Sequence, residues 1–393
     1  MTVQKKPNPV LFAIGSTFVQ IRNRFVHRLK VSGDKVHGPA LILANHTSNE
    51  DYMFVSATCW PRGISFLVTY HFFTFRFLGK ILKMFRCIPK LQFATDLDAI
   101  KKMKYILEKE NGIVYMAPEG TVYANGKLGY ISPATAKLIK YFKVPVYASK
   151  IQGAGLGNAK WSAHLHRDFV SIDTHLLFTA EQTKSLKPDT ILKKTIEALT
   201  YNEFDYQKQN NIHIKGTDLA EGFETMFYKC PVCDSEFTLK TYGNTVECTK
   251  CGAKAHLGSD FRFRWSTKKR YFNNYIQWYD WQYSRIKKEW EKPDFSMQAE
   301  VDYAIDKPGI NNYVKVGHGT MTLDHNGWTY NGTFEGKEIE EHDDLAQVFL
   351  ATLKKGIHFE LPYRFGHCRA FYPSNGLESM KWHLISRAIS ERD

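Results

Sequence analysis

The chain of 393 residues contains no uninterrupted run of eighteen or more apolar residues, whereas a membrane-spanning helix needs about twenty. Its first apolar stretch, Val10 to Ile14, is short and flanked by polar residues, so no cleavable signal is evident. Cysteine is scarce, with seven residues, and nothing indicates a secreted, disulfide-rich fold. We therefore expect no transmembrane helix and a chain that remains in the cytoplasm.

Acidic residues are also few relative to basic ones. The 40 Asp and Glu residues oppose 53 Lys and Arg residues, which gives a net charge of +13. A basic balance of this kind suits anionic lipid head groups, an acidic carrier protein or nucleic acid, and charge alone does not choose among them. The length allows two or three domains, each with its own core.

The run Ala44 to Asp51 places a histidine and an aspartate five positions apart, directly after the apolar stretch Pro39 to Leu43, which predicts a buried strand. An imidazole can accept a proton near neutral pH, and a carboxylate that holds its other nitrogen fixes the tautomer. In one ideal helix the two side chains would point about 140° apart. His46 and Asp51 therefore predict a hydroxyl-activating base in a loop that enters a helix.

A second run, Ala117 to Thr121, follows the apolar stretch Gly112 to Met116. Open α/β sheets carry their sites at the ends of such strands. Together, the two runs resemble the glycerolipid acyltransferase family of the 1-acylglycerol-3-phosphate type, whose members carry His-x4-Asp and Pro-Glu-Gly-Thr blocks. The resemblance continues through Asn125 to Gly129 and Val144 to Tyr147, and it covers residues 35 to 205.

The resemblance implies roles for single residues. His46 would take the proton from an acceptor hydroxyl, Asp51 would orient the imidazole, and the thioester carbonyl would be attacked directly, without an acyl-enzyme. The acceptor would lie against Glu119, Gly120 and Thr121, and the donor would be acyl-CoA or acyl carrier protein. The alternative for His46 is a buried histidine that bonds a backbone carbonyl.

Two other interpretations, a serine nucleophile and a dinucleotide site, find little support. Ser48 lies beside His46, but the chain has no Gly-x-Ser-x-Gly elbow, so we interpret Ser48 as a helix cap. The run Gly153 to Gly157 lacks the final glycine spacing of a dinucleotide fingerprint, and we predict no such site there.

Two positions depart from the family pattern. Val122 stands where many members carry an arginine that contacts the acceptor phosphate, and Lys90 or Gln92 stands in place of a second arginine. Lysine binds phosphate as a point charge, without the bidentate fork of arginine. Arg86 and Lys90 are therefore candidate anion contacts. The leading acceptor remains 1-acylglycerol-3-phosphate, and another lysolipid or an alcohol is the alternative.

Strand and helix patterns alternate over residues 31–210, which predicts an α/β acyltransferase domain with a mixed, largely parallel sheet. Further predicted strands lie at 64–69, 144–151 and 169–173. Predicted helices lie at 96–109, 132–142 and 188–206, the last of which would close the domain.

Residues 1–30 predict an amphipathic helix. Apolar residues recur at gaps of three or four, and basic residues surround them, as in a helix that lies in a membrane interface. The alternative is a helix packed on the core of the catalytic domain. The apolar stripe consists of Leu11, Ile14, Phe18, Ile21, Phe25 and Leu29, and the basic residues are Arg22, Arg24, Arg28 and Lys30.

Residues 226–256 predict a zinc ribbon. Two Cys-x2-Cys knuckles, Cys230 with Cys233 and Cys248 with Cys251, are separated by fourteen residues, and Gly243-Asn244 suits the turn of a hairpin between them. Four thiolates satisfy tetrahedral Zn²⁺ and leave no open position, so the metal would be structural. Disulfides are the alternative.

The C-terminal half divides into two further segments. Residues 261–293 are aromatic and basic and predict a helical linker that buries its aromatics between domains, with lipid contact or single-stranded nucleic acid as alternatives. Residues 299–393 show short alternating runs, turn signals at Asn326-Gly327 and Asn331-Gly332, and a final helix from Ser379 to Ser390. That order looks like a small α+β domain of the PH-like type.

The sequence thus predicts a peripheral acyltransferase at the cytoplasmic face of the membrane. Its expected partners are the acyl donor, a lysophospholipid and an anionic membrane surface, and nucleic acid is not expected. Three alternatives stay open: a catalytically silent lipid-binding scaffold, a zinc-ribbon nucleic-acid protein and a thioesterase.

Overall fold

The structure is a computed structural model that describes residues 5–91, 96–123, 125–307, 310, 312–346, 350–362 and 367–391. Gln92 lies outside the described residues. Those within 1–73, 77–160 and 165–215 form a first compact unit, and those within 74–76, 161–164 and 216–393 form a second. Among the helices that the structure describes, none is long and apolar enough to cross a membrane.

Strands and helices alternate through residue 215, as the sequence predicts. In chain order the elements are α1 (Pro9–Phe25), β1 (Lys30–Gly33), β2 (Ala40–Ala44), α2 (Asp51–Cys59), β3 (Ile64–Thr69), α3 (His71–Thr74), α4 (Leu78–Met84), β4 (Ile88–Lys90), α5 (Leu97–Glu108), β5 (Ile113–Met116), α6 (Ala134–Phe142), β6 (Val146–Gln152), α7 (Ala154–Gly157), β7 (Ser171–Phe178), α8 (Ala180–Ser185), α9 (Pro188–Leu199) and α10 (Glu203–Gln209).

The strands of the first unit form one seven-stranded sheet in the order β1-β7-β6-β2-β5-β3-β4. Strand β2 runs parallel to β5 and β6, and β3 runs parallel to β4 and β5. Strand β7 is antiparallel to β6. The prediction of a mixed, largely parallel sheet is confirmed. The carboxyl ends of β2, β5 and β6 therefore meet at one edge, where the loops that follow them come together.

Strand β2 is buried on both faces because helices cover the sheet on each side. Leu41 and Leu43 contribute to the core that α5, α6 and α9 cover. Ala40, Ile42 and Ala44 point to the other face, where Phe12 of α1 and residues of α2 pack. Alternate side chains of β2 thus belong to the cores on the two faces of the sheet. This burial fixes the position of the strand and therefore of the loop that follows it.

The predicted closing helix 188–206 is wrong as a single element. Helix α9 ends at Leu199, and Thr200 is already extended, with ψ of 128°. Asn202 then caps α10, where its side chain accepts the N–H groups of Phe204 and Asp205. The break allows Glu203 to point inward, where it is 1% exposed. Strand β7 also extends five residues beyond the predicted end at Asp173, since Phe178 is its last residue.

The second unit contains two antiparallel sheets and two long helices. Its elements are β8 (Leu239–Tyr242), β9 (Thr245–Cys248), β10 (Lys254–Leu257), β11 (Phe263–Trp265), α11 (Tyr275–Trp290), β12 (Ser296–Asp306), β13 (Tyr313–Asp324), β14 (Gly327–Phe334), β15 (Lys337–Asp343), β16 (Thr352–Lys354), β17 (His358–Pro362), β18 (Cys368–Pro373) and α12 (Ser379–Ser390).

Strands β8 to β11 form a four-stranded sheet around the predicted hairpin. The prediction that 261–293 is helical is wrong at its start, because β11 pairs with β10 and buries Phe263. The helix begins only at Tyr275, after the cap Asn274. Its aromatic stripe is buried within the second unit, with Trp278 and Tyr279 each 1% exposed. Lipid contact through this stripe is therefore contradicted.

The remaining strands form a seven-stranded sheet in the order β15-β14-β13-β12-β18-β17-β16, and α12 has the predicted bounds. The predicted turn at Asn331-Gly332 is wrong, because both residues lie inside β14. Gly332 pairs with Gly319, and a Cβ on Gly332 would lie 2.5 Å from the Cα of Gly319. The two glycines therefore allow β13 and β14 to approach closely at this pair. The PH-like likeness of this domain stays a prediction.

Candidate active site and candidate metal centre

His46 lies in the short loop between β2 and α2, and Asp51 is the first residue of α2. The predicted geometry, a loop that enters a helix, is confirmed. His46 Nδ1 lies 2.8 Å from Asp51 Oδ2, although the histidine is exposed by 26% and the aspartate by only 1%. The turn therefore brings an accessible imidazole against a buried carboxylate.

The Asp51 carboxylate organises the whole turn. Its oxygens accept the backbone N–H groups of Thr47 and Ser48 at 2.7 and 3.1 Å, and both hydroxyls of these residues donate to Oδ1. Ser48 is not the predicted helix cap: Glu50 precedes α2, and no side chain caps it. The Ser48 hydroxyl instead donates to Asp51 and accepts the Glu50 N–H.

This arrangement determines the tautomer of the neutral imidazole. Because the Asp51 carboxylate accepts and does not donate, the proton sits on Nδ1 of His46 and Nε2 carries the lone pair. Within the described part of the chain, no group is hydrogen-bonded to Nε2. The ring can therefore accept a proton from an added hydroxyl, and Asp51 would stabilise the resulting imidazolium.

Glu119 ties the second block to the first. It is 6% exposed, and its carboxylate accepts the His46 N–H at 2.6 Å through Oε1 and the Gly129 N–H at 2.6 Å through Oε2. Gly120 follows with φ of +70°, which favours glycine, and Thr121 is half-buried. The structure thus brings Glu119, Gly120 and Thr121 beside the His46 turn. The Glu119 carboxylate binds backbone N–H groups there.

Asn45 was not singled out in the sequence, yet it joins the two central strands. Its side-chain amide donates to the Ile151 carbonyl at 2.7 Å and accepts the Ile151 N–H at 2.7 Å. The residue is 0% exposed. It therefore fixes the carboxyl end of β2 against β6, directly before the candidate base.

Glu203 holds the glycine-rich run after β6. Its carboxylate accepts the Gly153 N–H at 2.8 Å and the Gly155 N–H at 2.6 Å. Burial raises the pKa of Glu203 to about 7, against the lowering effect of these two hydrogen bonds, and the charges of Asp168 and Asp51 raise it further. A carboxylate thus holds the turn at Gly153 and the start of α7.

A second histidine, His27, forms a buried polar cluster after α1. Its Nδ1 lies 2.9 Å from Asp168 Oδ1, and its Nε2 lies 2.6 Å from an Arg22 nitrogen and 3.2 Å from Glu50 Oε2. Arg22 also pairs with Glu50 at 2.6 Å. Because Glu50 directly precedes Asp51, the cluster connects α1 with the start of α2.

The two predicted anion contacts lie in different places. Lys90 ends β4, at the same edge as His46 but three strands from β2, or about 14 Å away. Its ammonium group donates to the Leu91 carbonyl. Arg86 precedes β4, at the opposite edge, and donates to the Lys6 carbonyl at 2.8 Å. The structure therefore does not bring Arg86 to the His46 turn.

Comparison with known proteins shows which family part of the chain resembles. Residues 25–152 match the family model described as Acyltransferase, and the matched range contains both the His46 turn and the Glu119 block. This range is therefore similar to the acyltransferase family. No curated protein sequence matches the chain.

Two solved structures are also similar to this chain. The 1-acyl-sn-glycerophosphate (LPA) acyltransferase PlsC from Thermotoga maritima is 18% identical over 46% of this chain and 73% of that chain, with a TM-score of 0.37. The Dm DCP1 EVH1 domain in complex with the XRN1 DBM peptide is 13% identical over 29% of this chain and 90% of that chain, with a TM-score of 0.21. Both scores are low, and neither likeness supports a further statement.

Outside the acyltransferase domain, Cys230, Cys233, Cys248 and Cys251 form a candidate metal centre. Their four Sγ atoms all lie within 4.8 Å of one another. The Cys230–Cys251 and Cys233–Cys248 sulfur distances are 3.9 and 3.8 Å, close to the value of about 3.8 Å that tetrahedral Zn–S bonds of about 2.3 Å require. All four cysteines are free thiols, which excludes the disulfide alternative. The cluster could hold a tetrahedral metal ion.

Proposed function

We propose that the acyltransferase domain moves a fatty acyl group from acyl-CoA or acyl carrier protein to a lysophospholipid hydroxyl, with 1-acylglycerol-3-phosphate as the leading acceptor. The observation that supports this most is the His46 turn. Asp51 occupies Nδ1 of the ring, and no described residue occupies Nε2. A general base needs this combination of a fixed tautomer and an accessible lone pair.

The proposal assigns the reaction the following steps. Nε2 of His46 takes the proton from the acceptor hydroxyl while that oxygen attacks the thioester carbonyl carbon. A carbon–oxygen bond forms, the tetrahedral intermediate collapses, and the carbon–sulfur bond breaks. The leaving thiolate takes the proton from the imidazolium, which Asp51 stabilises throughout. The products are an ester and a free thiol, and no acyl group is ever bound to the protein.

The acceptor is the open part of the proposal. Val122 is half-buried and brings no charge beside Thr121, where a phosphate-binding arginine would stand in the resembled family. This neutral position favours a second candidate, an acyltransferase for a different lysolipid or an alcohol.

The test is an incubation of purified protein with labelled acyl donors, both acyl-CoA and acyl carrier protein, and a panel of lysolipids and alcohols. We expect a new diacyl product whose formation His46→Ala slows strongly and His37→Ala, a change at an exposed histidine, leaves unchanged. Free fatty acid as the sole product would identify a thioesterase. Lipid binding without turnover would identify a silent scaffold.

We further propose that α1 attaches the protein to the cytoplasmic face of an anionic membrane. Most of its predicted apolar stripe points away from the core: Ile14, Phe18, Ile21 and Phe25 are 51–69% exposed. The other two members, Leu11 and Leu29, are half-buried, and Leu29 lies beyond α1 and packs against the core. The opposite side buries Phe12, Ser16 and Asn23. It also contacts α2, where the Asn23 amide donates to the Met53 carbonyl at 3.0 Å. A helix that exposes several large apolar side chains along one face is suited to an interface.

The charges around this helix agree with an anionic surface. Arg24 and Arg28 are exposed beside the stripe, and Arg28 stacks over Phe169 with 4.5 Å between guanidinium and ring centroid. Basic residues near a membrane contribute about 1 kcal/mol each to its attraction. The stripe would insert while these cations contact the head groups.

Vesicle flotation with and without anionic lipid tests this attachment. Replacing Ile14 and Phe18 together by serine is expected to release the protein from anionic vesicles. Replacing Leu165 and Ile196, two apolar residues exposed elsewhere, is the matched control and should release nothing. Full binding by the Ile14 and Phe18 variant would contradict the attachment.

We propose Zn²⁺ as the ion of the four-cysteine cluster. Thiolate ligands in a tetrahedral set suit Zn²⁺, and four of them leave no position for substrate, so the role is structural. Structural Zn²⁺ contributes about 10–16 kcal/mol to the folding of small zinc modules. Metal content of the purified full chain, with Cys248→Ser as the variant and Cys368→Ser as the control, tests the site: only Cys248→Ser should lose one equivalent of zinc.

A further inference from the structure

Lys160 belongs to the segment that follows β6, although no motif contains it. Strands β6 and β2 are parallel neighbours, so the segment after β6 starts at the same edge as the His46 loop. Glu203 holds the start of that segment through the N–H groups of Gly153 and Gly155. The short helix α7 and a turn then lead to Lys160, and the segment is therefore fixed and not a free tail.

The ammonium group of Lys160 has no ion-pair or hydrogen-bond partner among the residues that the structure describes. The residue is half-buried. Burial lowers the pKa of Lys160, and the Asp51 carboxylate, whose charge reaches it, opposes that effect. Lys160 thus combines a half-buried position with an ammonium group that no described residue pairs, and an anionic ligand would supply the missing opposite charge.

The other positions considered for an anion contact differ from Lys160. Lys90 donates to the Leu91 carbonyl, and the charge of Asp96 acts on it. Arg86 lies at the opposite edge. Val122 is neutral. Lys160, by contrast, combines proximity to Asp51 with a charge that no described residue pairs.

We propose that Lys160 binds a phosphate group of a substrate held at the His46 turn. This inference rests on the proposed function, since it assumes that acceptor and donor meet at that turn. A lysine ammonium binds phosphate as a point charge, and it would take the place that the arginine at position 122 has in the resembled family. The phosphate belongs either to the acceptor or to the CoA portion of the donor.

The test uses Lys160→Met, which keeps length and removes charge, with Lys160→Arg as the rescue and Lys137→Met, at an exposed lysine of α6, as the control. Acceptors are 1-acylglycerol-3-phosphate and monoacylglycerol, and donors are acyl-CoA and an acyl thioester of N-acetylcysteamine, which has no phosphate. Loss of a charge-assisted contact is expected to raise KM about ten- to hundred-fold.

The pattern of KM values identifies the source. A rise for the phosphorylated acceptor alone assigns the acceptor phosphate, and a rise for acyl-CoA but not for the short thioester assigns the donor. Lys160→Arg should restore most of the affinity. KM values for Lys160→Met that equal wild type with every pair of substrates would overturn the inference.

A binding measurement separates this inference from the proposed function. Glycerol 3-phosphate and CoA are titrated into wild type and Lys160→Met, each shown to be folded by its thermal unfolding. If wild type transfers no acyl group but binds one of these compounds at least ten-fold more tightly than Lys160→Met, the function fails and the phosphate site stands. Equal affinities would remove the phosphate site whatever the activity.

Discussion

His46 and His27 belong to the same compact unit, and each places Nδ1 within 2.9 Å of a buried aspartate oxygen. They differ at Nε2. Arg22 and Glu50 surround that nitrogen in His27, which is 0% exposed, whereas no described residue bonds it in His46. A histidine–aspartate pair is therefore not by itself a catalytic pair. The group that faces the second nitrogen decides whether the ring holds structure together or remains available for chemistry.

The loops around His46 share one construction. Buried carboxylates of Asp51, Glu119 and Glu203 each accept backbone N–H groups, at 2.6 to 3.1 Å. Charged acceptors make stronger hydrogen bonds than neutral ones. The carboxyl edge of the sheet is thus held by acids that point into loops, while the His46 ring stays partly exposed.

The largest expected effect is on catalysis at His46. We expect His46→Ala to lower the rate of acyl transfer about 100- to 10,000-fold, because general-base catalysis contributes that much. The melting temperature should change little, since Asp51 keeps its bonds to the Thr47 and Ser48 backbone. Initial rates and thermal unfolding of the same preparations measure both. Wild-type rates in a folded His46→Ala protein would remove the distinction between the two histidines.

His27→Ala should show the converse. Removing the ring deprives Asp168, Glu50 and Arg22 of a shared partner. Breaking a buried ionic cluster lowers the free energy of unfolding by about 3–5 kcal/mol. Denaturant unfolding measures the loss, with His175→Ala, at an exposed histidine, as the control. A His27→Ala protein of unchanged stability would show that both histidines are dispensable for the fold.

The free energy of unfolding should depend on pH through the ionisation of Glu203. Its pKa rises from 4.5 to about 7 on folding, so the folded state binds the proton more tightly. The stabilisation is complete below pH 4.5 and is lost as pH rises through 7, and its size is about 3 kcal/mol. Relative to Glu203→Gln, which does not ionise, wild type should lose this amount between pH 4.5 and 8. A constant difference in unfolding free energy between the two proteins would contradict the shift.

Glu119→Gln should have the smallest effect. A glutamine oxygen can accept one of the two N–H groups, from His46 or Gly129, and its NH2 group then faces the other. A buried donor without an acceptor costs about 1–3 kcal/mol. We expect this loss in denaturant unfolding, with a modest fall in the acyl-transfer rate as the His46 backbone loosens. Glu197→Gln, at an exposed position, is the control, and equal behaviour of the two variants would exclude a role for Glu119 in holding the turn.

Local patterns were sufficient for much of this structure. The burial of β2, the loop-to-helix placement of His46 and Asp51, the hairpin between the two cysteine pairs and the bounds of α12 depend on residues close in sequence. Periodicity and turn chemistry report such features directly.

Features that depend on distant partners were not predictable. Asn45 meets Ile151 and His27 meets Asp168 only after the sheet has formed, and no local signal marks either residue. Gly332 looked like a turn residue because its partner Gly319 belongs to another strand. Asn202 could have indicated the break after α9, since asparagine before an acidic residue is a common helix start.

The tautomer of His46 tests the central claim most directly. Nitrogen-15 NMR of histidine-labelled protein, assigned with His46→Ala and recorded where the imidazole is neutral, distinguishes a protonated Nδ1 from a protonated Nε2. We expect the proton on Nδ1 in wild type and a shift toward the Nε2–H form in Asp51→Asn. A wild-type ring that carries its proton on Nε2 would contradict this expectation, because its lone pair would lie on Nδ1, which faces Asp51, and Nε2 could not accept the proton of the acceptor hydroxyl.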